Sequence, residues 1–188
     1  MTNTCSTATH GASPAARATS RCTKAGRYPT SRRHPTRRAG SANHHPRERM
    51  TMTVTAANAN EQLVLDFFEV LSSGDLEKLR VFYHEHSVWE PKVKEIAGAG
   101  KHIGMDIIDK FLAPVRGMFE PGDPKVHVQN MFSAGPFVCV ESNSTGKTMD
   151  GLVYDNDYCW VFEVSNGKID AMREYMDSHY TAKLFGME

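Results

Sequence analysis

Apolar residues after residue 58 follow a helical spacing first and a strand-like alternation later. The helical spacing predicts a first helix that Asn60 caps and Gly74 ends. Its apolar positions recur at about 3.6 residues per turn on one face: Leu63, Val64, Phe67, Phe68 and Leu71. Asp75 is predicted to cap a second helix, and a third covers residues 107–118, where Pro114 predicts a kink or an early end.

Strands dominate the second half of the chain. A short strand at residues 87–90 precedes the third helix. Four longer strands are predicted at residues 125–132, 137–145, 152–164 and 168–177, with a closing helical turn at 179–186. Asn166-Gly167, between two runs rich in β-branched and aromatic residues, is typical of a tight hairpin turn. Helices first and antiparallel strands afterwards favour an α+β fold, with the sheet wrapped around the helices.

The last predicted strand carries an acidic residue in an unusual place. Side chains alternate between the two faces of a strand, so Met172, Glu174 and Met176 share one face. The other face carries Ile169, Ala171, Arg173 and Tyr175. A carboxylate between two methionines is either a surface charge, solvated or ion-paired, or a catalytic group in an apolar pocket. In a pocket, desolvation would raise its pKa towards neutrality and make it useful as a general acid or base.

The charge of the chain divides it into two unlike parts. Residues 1–49 carry a net charge of +9 and residues 50–188 a net charge of −9, although the total is zero. The first part is rich in Ser, Thr, Ala, Arg and Pro and poor in large apolar residues, so it cannot bury enough surface to fold. We therefore predict a disordered basic tail at residues 1–54 and one folded domain at residues 55–188.

Three interpretations of the tail stay open. It resembles an organelle transit peptide, it is an untranslated stretch if Met50 or Met52 is the true start, or it is a basic arm that contacts nucleic acid. Tyr28 is its one aromatic residue, which argues against nucleic acid as a partner. The chain has no apolar secretory signal and no membrane-length apolar run, so we predict a cytoplasmic protein, or an imported one if the tail is a transit peptide.

Cofactor and metal motifs are absent from the sequence. The four cysteines form no CxxC pair, and the His84-x-His86 pair has no matched third ligand. Neither a glycine-rich dinucleotide motif nor a P-loop occurs. We accordingly predict no cofactor and no metal. Cys139 and Cys159 are interpreted as small apolar residues of a protein in a reducing compartment.

Three segments together resemble a known superfamily. They are SSGDLEKLRVFYHEHSVWEP, GKHIGMDIIDKFL and DYCWVFEVSNGKIDAMREYMD, and they resemble domains of the nuclear transport factor 2-like, or SnoaL-like, superfamily over about residues 58–186. The resemblance implies a cone-shaped, curved antiparallel sheet packed against about three N-terminal helices and enclosing an apolar pocket. It also implies a homodimer formed through the sheet and a small hydrophobic molecule as partner. The superfamily contains ketosteroid isomerases, limonene epoxide hydrolases, polyketide cyclases and many members that are not enzymes.

Ketosteroid isomerases provide the first comparison at the level of residues. Glu90 resembles their general-base aspartate, which also lies just before a proline. Their oxyanion-hole tyrosine corresponds to Phe67, and their protonated aspartate corresponds to Trp160. Both hydrogen-bond donors that would stabilise the dienolate are therefore replaced, and we predict that the chain is not a ketosteroid isomerase.

Limonene epoxide hydrolases and cyclases direct attention to Glu174. The hydrolases use an Asp-Arg-Asp set whose last acid corresponds to Glu174, but the other two members fall near Ser142 and Ser144, so the set is incomplete. In SnoaL-type cyclases, a single acid at the position that Glu174 resembles does the proton transfer. The resemblance thus implies Glu174 as the catalytic residue, with Glu90 as a second acid or His86 as a proton shuttle.

Ligand contacts are predicted on the wall that core and pocket share in such a cone. The predicted substrate-binding residues are Trp89, Asn143, Trp160, Met172, Met176 and Phe67. Two hypotheses follow. The first is an enzyme that carries out cofactor-free acid/base chemistry on a small hydrophobic substrate, of isomerase, cyclase or epoxide-hydrolase type. The second is a ligand-binding or dimerisation module of the same fold without enzymatic activity.

Overall fold

A computed structural model describes residues 53–187 of the chain. Helix α1 (Ala59–Ser73) begins where the side chain of Asn58 accepts hydrogen bonds from the backbone N–H groups of Asn60 and Glu61. The predicted cap was Asn60, two residues too late. Gly74 ends the helix in the left-handed region with φ of 79°, as its lack of a Cβ allows.

The remaining helices are short. Asp75 caps α2 (Leu76–Leu79), as predicted, and a 3₁₀ turn (Arg80–Phe82) follows. The predicted third helix is a π-helical turn (Ile107–Leu112) joined to α3 (Ala113–Arg116). Pro114 lies in the first turn of α3, directly after the π-helical turn, and the helical segment ends at Arg116, two residues before the predicted end. The closing turn is α4 (Ser178–Leu184).

Six strands form one curved, open sheet in the order β2-β1-β6-β5-β4-β3. Their bounds are β1 (Tyr83–Pro91), β2 (His102–Ile103), β3 (Lys125–Ala134), β4 (Phe137–Lys147), β5 (Val153–Ser165) and β6 (Lys168–Met176). The predicted meander of four strands is β3 to β6. One pair departs from the antiparallel prediction: β1 runs parallel to β6, because the whole meander intervenes between them.

The hairpin between β5 and β6 has the predicted turn. Asn166 and Gly167 have φ of 49° and 72°, so both central residues are in the left-handed region, as in a type I′ turn. This turn matches the twist of the two flanking strands and fixes the register of β6 against β5.

A β-bulge at Asp170 interrupts the alternation in β6. The strand has one residue more than β5 at this point, so Asp170 has no opposite residue. The simple alternation that assigned Ile169 to the face opposite Met172 is therefore wrong, since both side chains are 0% exposed. After the bulge the alternation resumes, and Glu174 faces the interior together with Met172.

The hydrophobic core lies between the inner face of the sheet and the helices. Phe67 of α1 is at its centre, with edge-to-face contacts to five aromatic rings. These rings belong to Phe68, Phe82, Tyr83, Trp89 and Phe162. Among residues 53–187, no helix has the length and apolar character needed to cross a membrane.

Candidate active site

Glu174 is buried in the inner wall of the sheet. It lies opposite Trp160 on β5, and only 5% of its surface is exposed. Its Oε2 atom accepts a hydrogen bond of 2.6 Å from the indole Nε1 of Trp89, which lies on the neighbouring strand β1. The carboxyl group is thus held by one neutral donor in an otherwise apolar wall.

The surroundings of Glu174 favour its protonated form. Burial raises the pKa of Glu174 to about 7, and the hydrogen bond from Trp89 opposes this shift. In the part of the chain that the structure describes, no ion pair includes Glu174. The alternatives of a solvated or ion-paired carboxylate are therefore not what the structure shows.

A cavity with a volume of about 210 Å³ lies beside Glu174. Its walls come from the segment after β1, the third helix, the inner face of β5 and β6, and the C-terminal segment. They are mainly apolar, with Glu174, Tyr154, Tyr158, Thr181 and Lys110 as the residues that carry polar side chains. The apolar lining residues include Val93, Ile96, Phe111, Val115, Met118, Phe119, Met176 and Phe185.

Two tyrosines complete the polar part of the cavity wall. Tyr154 and Tyr158 lie on β5, and their hydroxyl groups are hydrogen-bonded to each other. Asn156 donates from Nδ2 to the Tyr154 hydroxyl at 3.3 Å and to Oγ1 of Thr181 at 3.0 Å. The Tyr158 ring stacks on Trp160 with 5.0 Å between ring centroids, which fixes its direction.

Both tyrosines are close enough to Glu174 to be affected by its charge. Burial is the main cause that raises the pKa of Tyr158 well above its ordinary value, and Tyr154 and Glu174 add to it. Burial likewise raises the pKa of Tyr154, with a smaller contribution from Glu174. Both hydroxyls are therefore protonated donors at neutral pH.

The two tyrosines lie in the strand predicted at residues 152–164, but they were not among the predicted site residues. A usable signal was present. Tyr154, Asn156, Tyr158 and Trp160 recur at a spacing of two residues and so share one face of β5. Because Trp160 was predicted to face the interior, the same alternation places the other three beside it.

Glu90 is not the second acid of this site. It lies next to Trp89 on β1, and consecutive residues of a strand point to opposite faces. Since Trp89 faces the interior, Glu90 faces outwards, where its Oε1 is 2.9 Å from Nζ of Lys92. Lys92 is the main cause that holds the pKa of Glu90 below its usual range.

His86 also lies away from the cavity. Its side chain is 75% exposed and its ring stacks on that of His84, with 5.0 Å between centroids. Both rings face Asp170, whose Oδ1 is 3.5 Å from each Nε2. The structure therefore does not support the prediction of His86 as a proton shuttle for Glu174.

Asn143 was predicted to contact substrate, but it faces outwards from β4. Its Nδ2 donates to the carboxylates of Asp155 at 2.7 Å and Asp157 at 3.1 Å. The inward-facing neighbours in the strand are Ser142 and Ser144, which are buried. Of these three consecutive polar residues, the two serines therefore face inwards and the amide of Asn143 faces outwards.

Only some of the residues predicted to make apolar contacts with substrate lie at the cavity. Met176 lines it, whereas Phe67, Trp160 and Met172 are packed in the core behind the wall. Trp89 contributes through its hydrogen bond to Glu174. The Nε1 of Trp160 donates to Oγ of Ser142 at 2.8 Å, so this indole is satisfied within the wall.

Residues 53–187 contain no group of three or more His, Cys, Asp or Glu side chains that could hold a metal ion. Cys139 and Cys159 are free thiols on the outer side of the sheet, with 3.8 Å between their sulfur atoms. The predicted tail at residues 1–54 lies almost wholly outside the described residues.

The chain belongs to the SnoaL-like domain family, whose model matches residues 64–172. The matched range runs from within α1 to within β6 and ends two residues before Glu174. No curated protein matches the chain.

Solved structures show the same fold. TerC, co-crystallised with polyporic acid, is 19% identical with a TM-score of 0.61, and the match covers 69% of this chain and 99% of TerC. A nuclear transport factor 2-like protein from Burkholderia xenovorans is 26% identical with a TM-score of 0.54, over 66% and 94% of the two chains. A protein from Shewanella putrefaciens described as a SnoaL-like polyketide cyclase is 16% identical with a TM-score of 0.58, over 70% and 88%.

Proposed function

We propose that this protein binds a small hydrophobic molecule in the cavity and transfers a proton to or from it with Glu174, without a cofactor. The observation that carries the proposal is a buried carboxyl group at the wall of an apolar cavity, with no ion pair among the described residues. The reaction class is isomerisation, cyclisation or epoxide opening. The fold also serves a protein described as a polyketide cyclase and one described as an isomerase.

The geometry supports an acid/base role. Trp89 donates to Oε2 of Glu174, and Glu174 lines the cavity. A carboxyl group with a pKa of about 7 is present in both protonation states at neutral pH, so it can take a proton as a base and return it as an acid. Apolar walls exclude water from the pair of reacting groups and keep that pKa raised.

The test uses probe substrates, because the reaction requires only an acidic C–H bond or a strained ring. Acetophenone and 2-acetylnaphthalene report base catalysis through exchange of their α-hydrogens for deuterium in D₂O, followed by NMR. Styrene oxide reports epoxide opening. We expect catalysis of at least one reaction by the wild type and a loss of about 100-fold or more in Glu174→Gln.

A matched control is Glu141→Gln, since Glu141 is exposed on the outer face of β4. The control should retain wild-type rates. If Glu174→Gln exchanges or hydrolyses the probes as fast as the wild type does, the proposal is wrong. A Glu174→Gln protein that is unfolded at neutral pH would also contradict it, because a neutral isostere should suit this site.

A second candidate function is a binding module without activity. It is favoured because this chain has no free polar group at two positions where related enzymes carry one. Phe67 is packed in the core, and Trp160 bonds Ser142 within the wall. In that case the wild type and Glu174→Gln would both bind the probes, and neither would turn them over.

A further inference from the structure

The hydroxyl groups of Tyr154 and Tyr158 have hydrogen-bonding capacity that their mutual contact does not use. Two hydroxyls carry two hydrogens, and the contact between them consumes one, whichever of them donates. One O–H is therefore left to donate to a third group. Both residues line the cavity, so an acceptor in the cavity can be that group.

Asn156 holds this pair in place from behind. Its Nδ2 lies within hydrogen-bond distance of the Tyr154 hydroxyl, of Oγ1 of Thr181 and, at 3.4 Å, of the carbonyl oxygen of Asp177, so its two hydrogens are shared among three acceptors. A carbonyl oxygen can only accept, so it fixes the amide with its nitrogen towards the tyrosines. An amide nitrogen can only donate, so the Nδ2 atom that faces the tyrosines cannot take the remaining hydroxyl hydrogen, and Oδ1 of Asn156 has no hydrogen-bond partner among the described residues.

The two tyrosines lie close enough to Glu174 to share a ligand with it. Glu174 lies opposite Trp160, and Tyr158 is two residues further along the same face of β5. Such diagonal neighbours are about 7–8 Å apart at their Cα atoms, within the reach of long side chains. A single small molecule can therefore contact the carboxyl group and a tyrosine hydroxyl at once.

We propose that the Asn156–Tyr154–Tyr158 chain is an oxygen-binding subsite, and that the substrate is an apolar carbonyl compound with a hydrogen on the adjacent carbon. This inference rests on the proposed function and names its substrate class. The carbonyl oxygen accepts the free tyrosine hydrogen, and the α-carbon faces Glu174.

The proton-transfer step balances within these groups. The α C–H bond breaks and its proton moves to the Glu174 carboxylate. The electron pair of that bond forms a C=C bond, and the C=O electrons move to oxygen, which becomes an enolate oxyanion. The tyrosine hydrogen bond strengthens as this charge develops. Return of the proton from Glu174 to carbon regenerates the carboxylate.

Binding of matched probe pairs tests the subsite separately from catalysis. Acetophenone and 2-acetylnaphthalene are ketones, and α-methylstyrene and 2-isopropenylnaphthalene replace their oxygen by CH₂ at nearly constant shape. We expect the wild type to bind each ketone about tenfold more tightly than its hydrocarbon counterpart, because the hydrocarbon leaves a buried donor unpaired. Affinities are measured by isothermal titration calorimetry at pH 6.

The double variant Tyr154→Phe/Tyr158→Phe removes both hydroxyls and should reduce this preference to about onefold, mainly by weakening ketone binding. Each single variant keeps one hydroxyl whose hydrogen is no longer used by the other tyrosine, so each should retain part of the preference. The ring at position 154 keeps its contacts with Phe119 and Phe185 in these variants. The matched control is Tyr175→Phe, because Tyr175 is 43% exposed on the outer face of the sheet. This control should retain the wild-type preference.

The subsite proposal fails if the wild type binds ketone and hydrocarbon equally or binds neither. It also fails if the preference survives in the double variant Tyr154→Phe/Tyr158→Phe. Glu174→Gln should keep the ketone preference while losing deuterium exchange. In Glu174→Gln, lost deuterium exchange with a retained ketone preference would support both proposals. A wild type that catalyses exchange through Glu174 but shows no ketone preference would overturn only the subsite.

Discussion

The inner and outer faces of the sheet treat their acidic residues in opposite ways, and Glu174 and Glu90 show the contrast on two adjacent strands. Glu174 faces inwards, where burial raises its pKa to about 7. Glu90 faces outwards, where Lys92 lowers its pKa. Both residues were predicted as catalytic acids from the sequence. The difference shows that the face of a strand, rather than the residue type, decides whether an acid can carry out chemistry here.

The largest effect that would test this contrast is on catalysis. Replacing the inner acid in Glu174→Gln should lower probe turnover by about 100- to 10,000-fold, whereas Glu90→Gln should change it by less than about twofold. Initial rates of α-deuterium exchange measure both variants under identical conditions. A Glu90→Gln rate as low as that of Glu174→Gln would remove the distinction between the two faces.

The next effect is on stability, through the titration of Glu174. Its pKa is about 7 in the folded chain against a model value of 4.5, so the folded state binds this proton more tightly than the unfolded state does. The contribution is therefore complete below about pH 4.5 and is lost as the pH rises through 7, a loss of about 3 kcal/mol.

Glu174→Gln cannot titrate, so it isolates this contribution. It should match the wild type near pH 4.5 and be more stable above pH 7, by up to about 3 kcal/mol. Urea denaturation at several pH values measures the difference. A wild type that gains stability relative to Glu174→Gln as the pH rises from 5 to 8 would show that the carboxylate is ion-paired, and no relative change would show that it is solvated.

A smaller effect concerns the pH dependence of activity. A general base at Glu174 makes kcat rise with pH to a plateau, with a midpoint near 7. Trp89→Phe removes the hydrogen bond that lowers this pKa, so the midpoint should move upwards and the rate at pH 7 should fall a few-fold. The control is Trp160→Phe, whose indole bonds Ser142. A midpoint that moves equally in both variants would point to general loosening of the wall.

The smallest effect compares two asparagines on opposite faces. Asn143→Ala removes outer hydrogen bonds to Asp155 and Asp157 and should cost about 1 kcal/mol of stability without changing ketone binding. Asn156→Ala, on the inner face, should reduce the ketone preference. Thermal denaturation and calorimetry together separate the two outcomes, and a ketone preference altered by Asn143→Ala would contradict the assignment of faces.

Periodicity predicted the parts of the fold that depend on short-range rules. The apolar stripe of α1 and the Asn166-Gly167 turn are local features, and both are present. The shared face of Met172 and Glu174 was also predicted. The parallel pairing of β1 with β6 was not, because it depends on contacts between residues that are distant in the sequence.

The errors in the site have a common physical origin. Trp89 and Glu90 are consecutive on a strand, so they could not both line one cavity, and the sequence already contained that information. Asn143 was placed by its polarity without its alternation, and Tyr154 and Tyr158 were overlooked for the same reason. Which face is inner depends on packing against helices and required the structure.

The bulge at Asp170 explains why Glu174 faces the same side of the sheet as Ile169. Ile169 and Met172 are three residues apart, and in a regular strand this odd interval would place them on opposite faces. Both are nevertheless buried, because Asp170 is an extra residue without a partner between them. From Met172 onwards, inward residues are the even-numbered ones, and Glu174 is among them. Asp170 is the unpaired residue, so its deletion would leave Ile169 opposite Val164 and Ala171 opposite Glu163, and Met172 and Glu174 would still face inwards on a regular strand. The bulge therefore lets this stretch lose one residue without moving Glu174 from the inner face of the sheet.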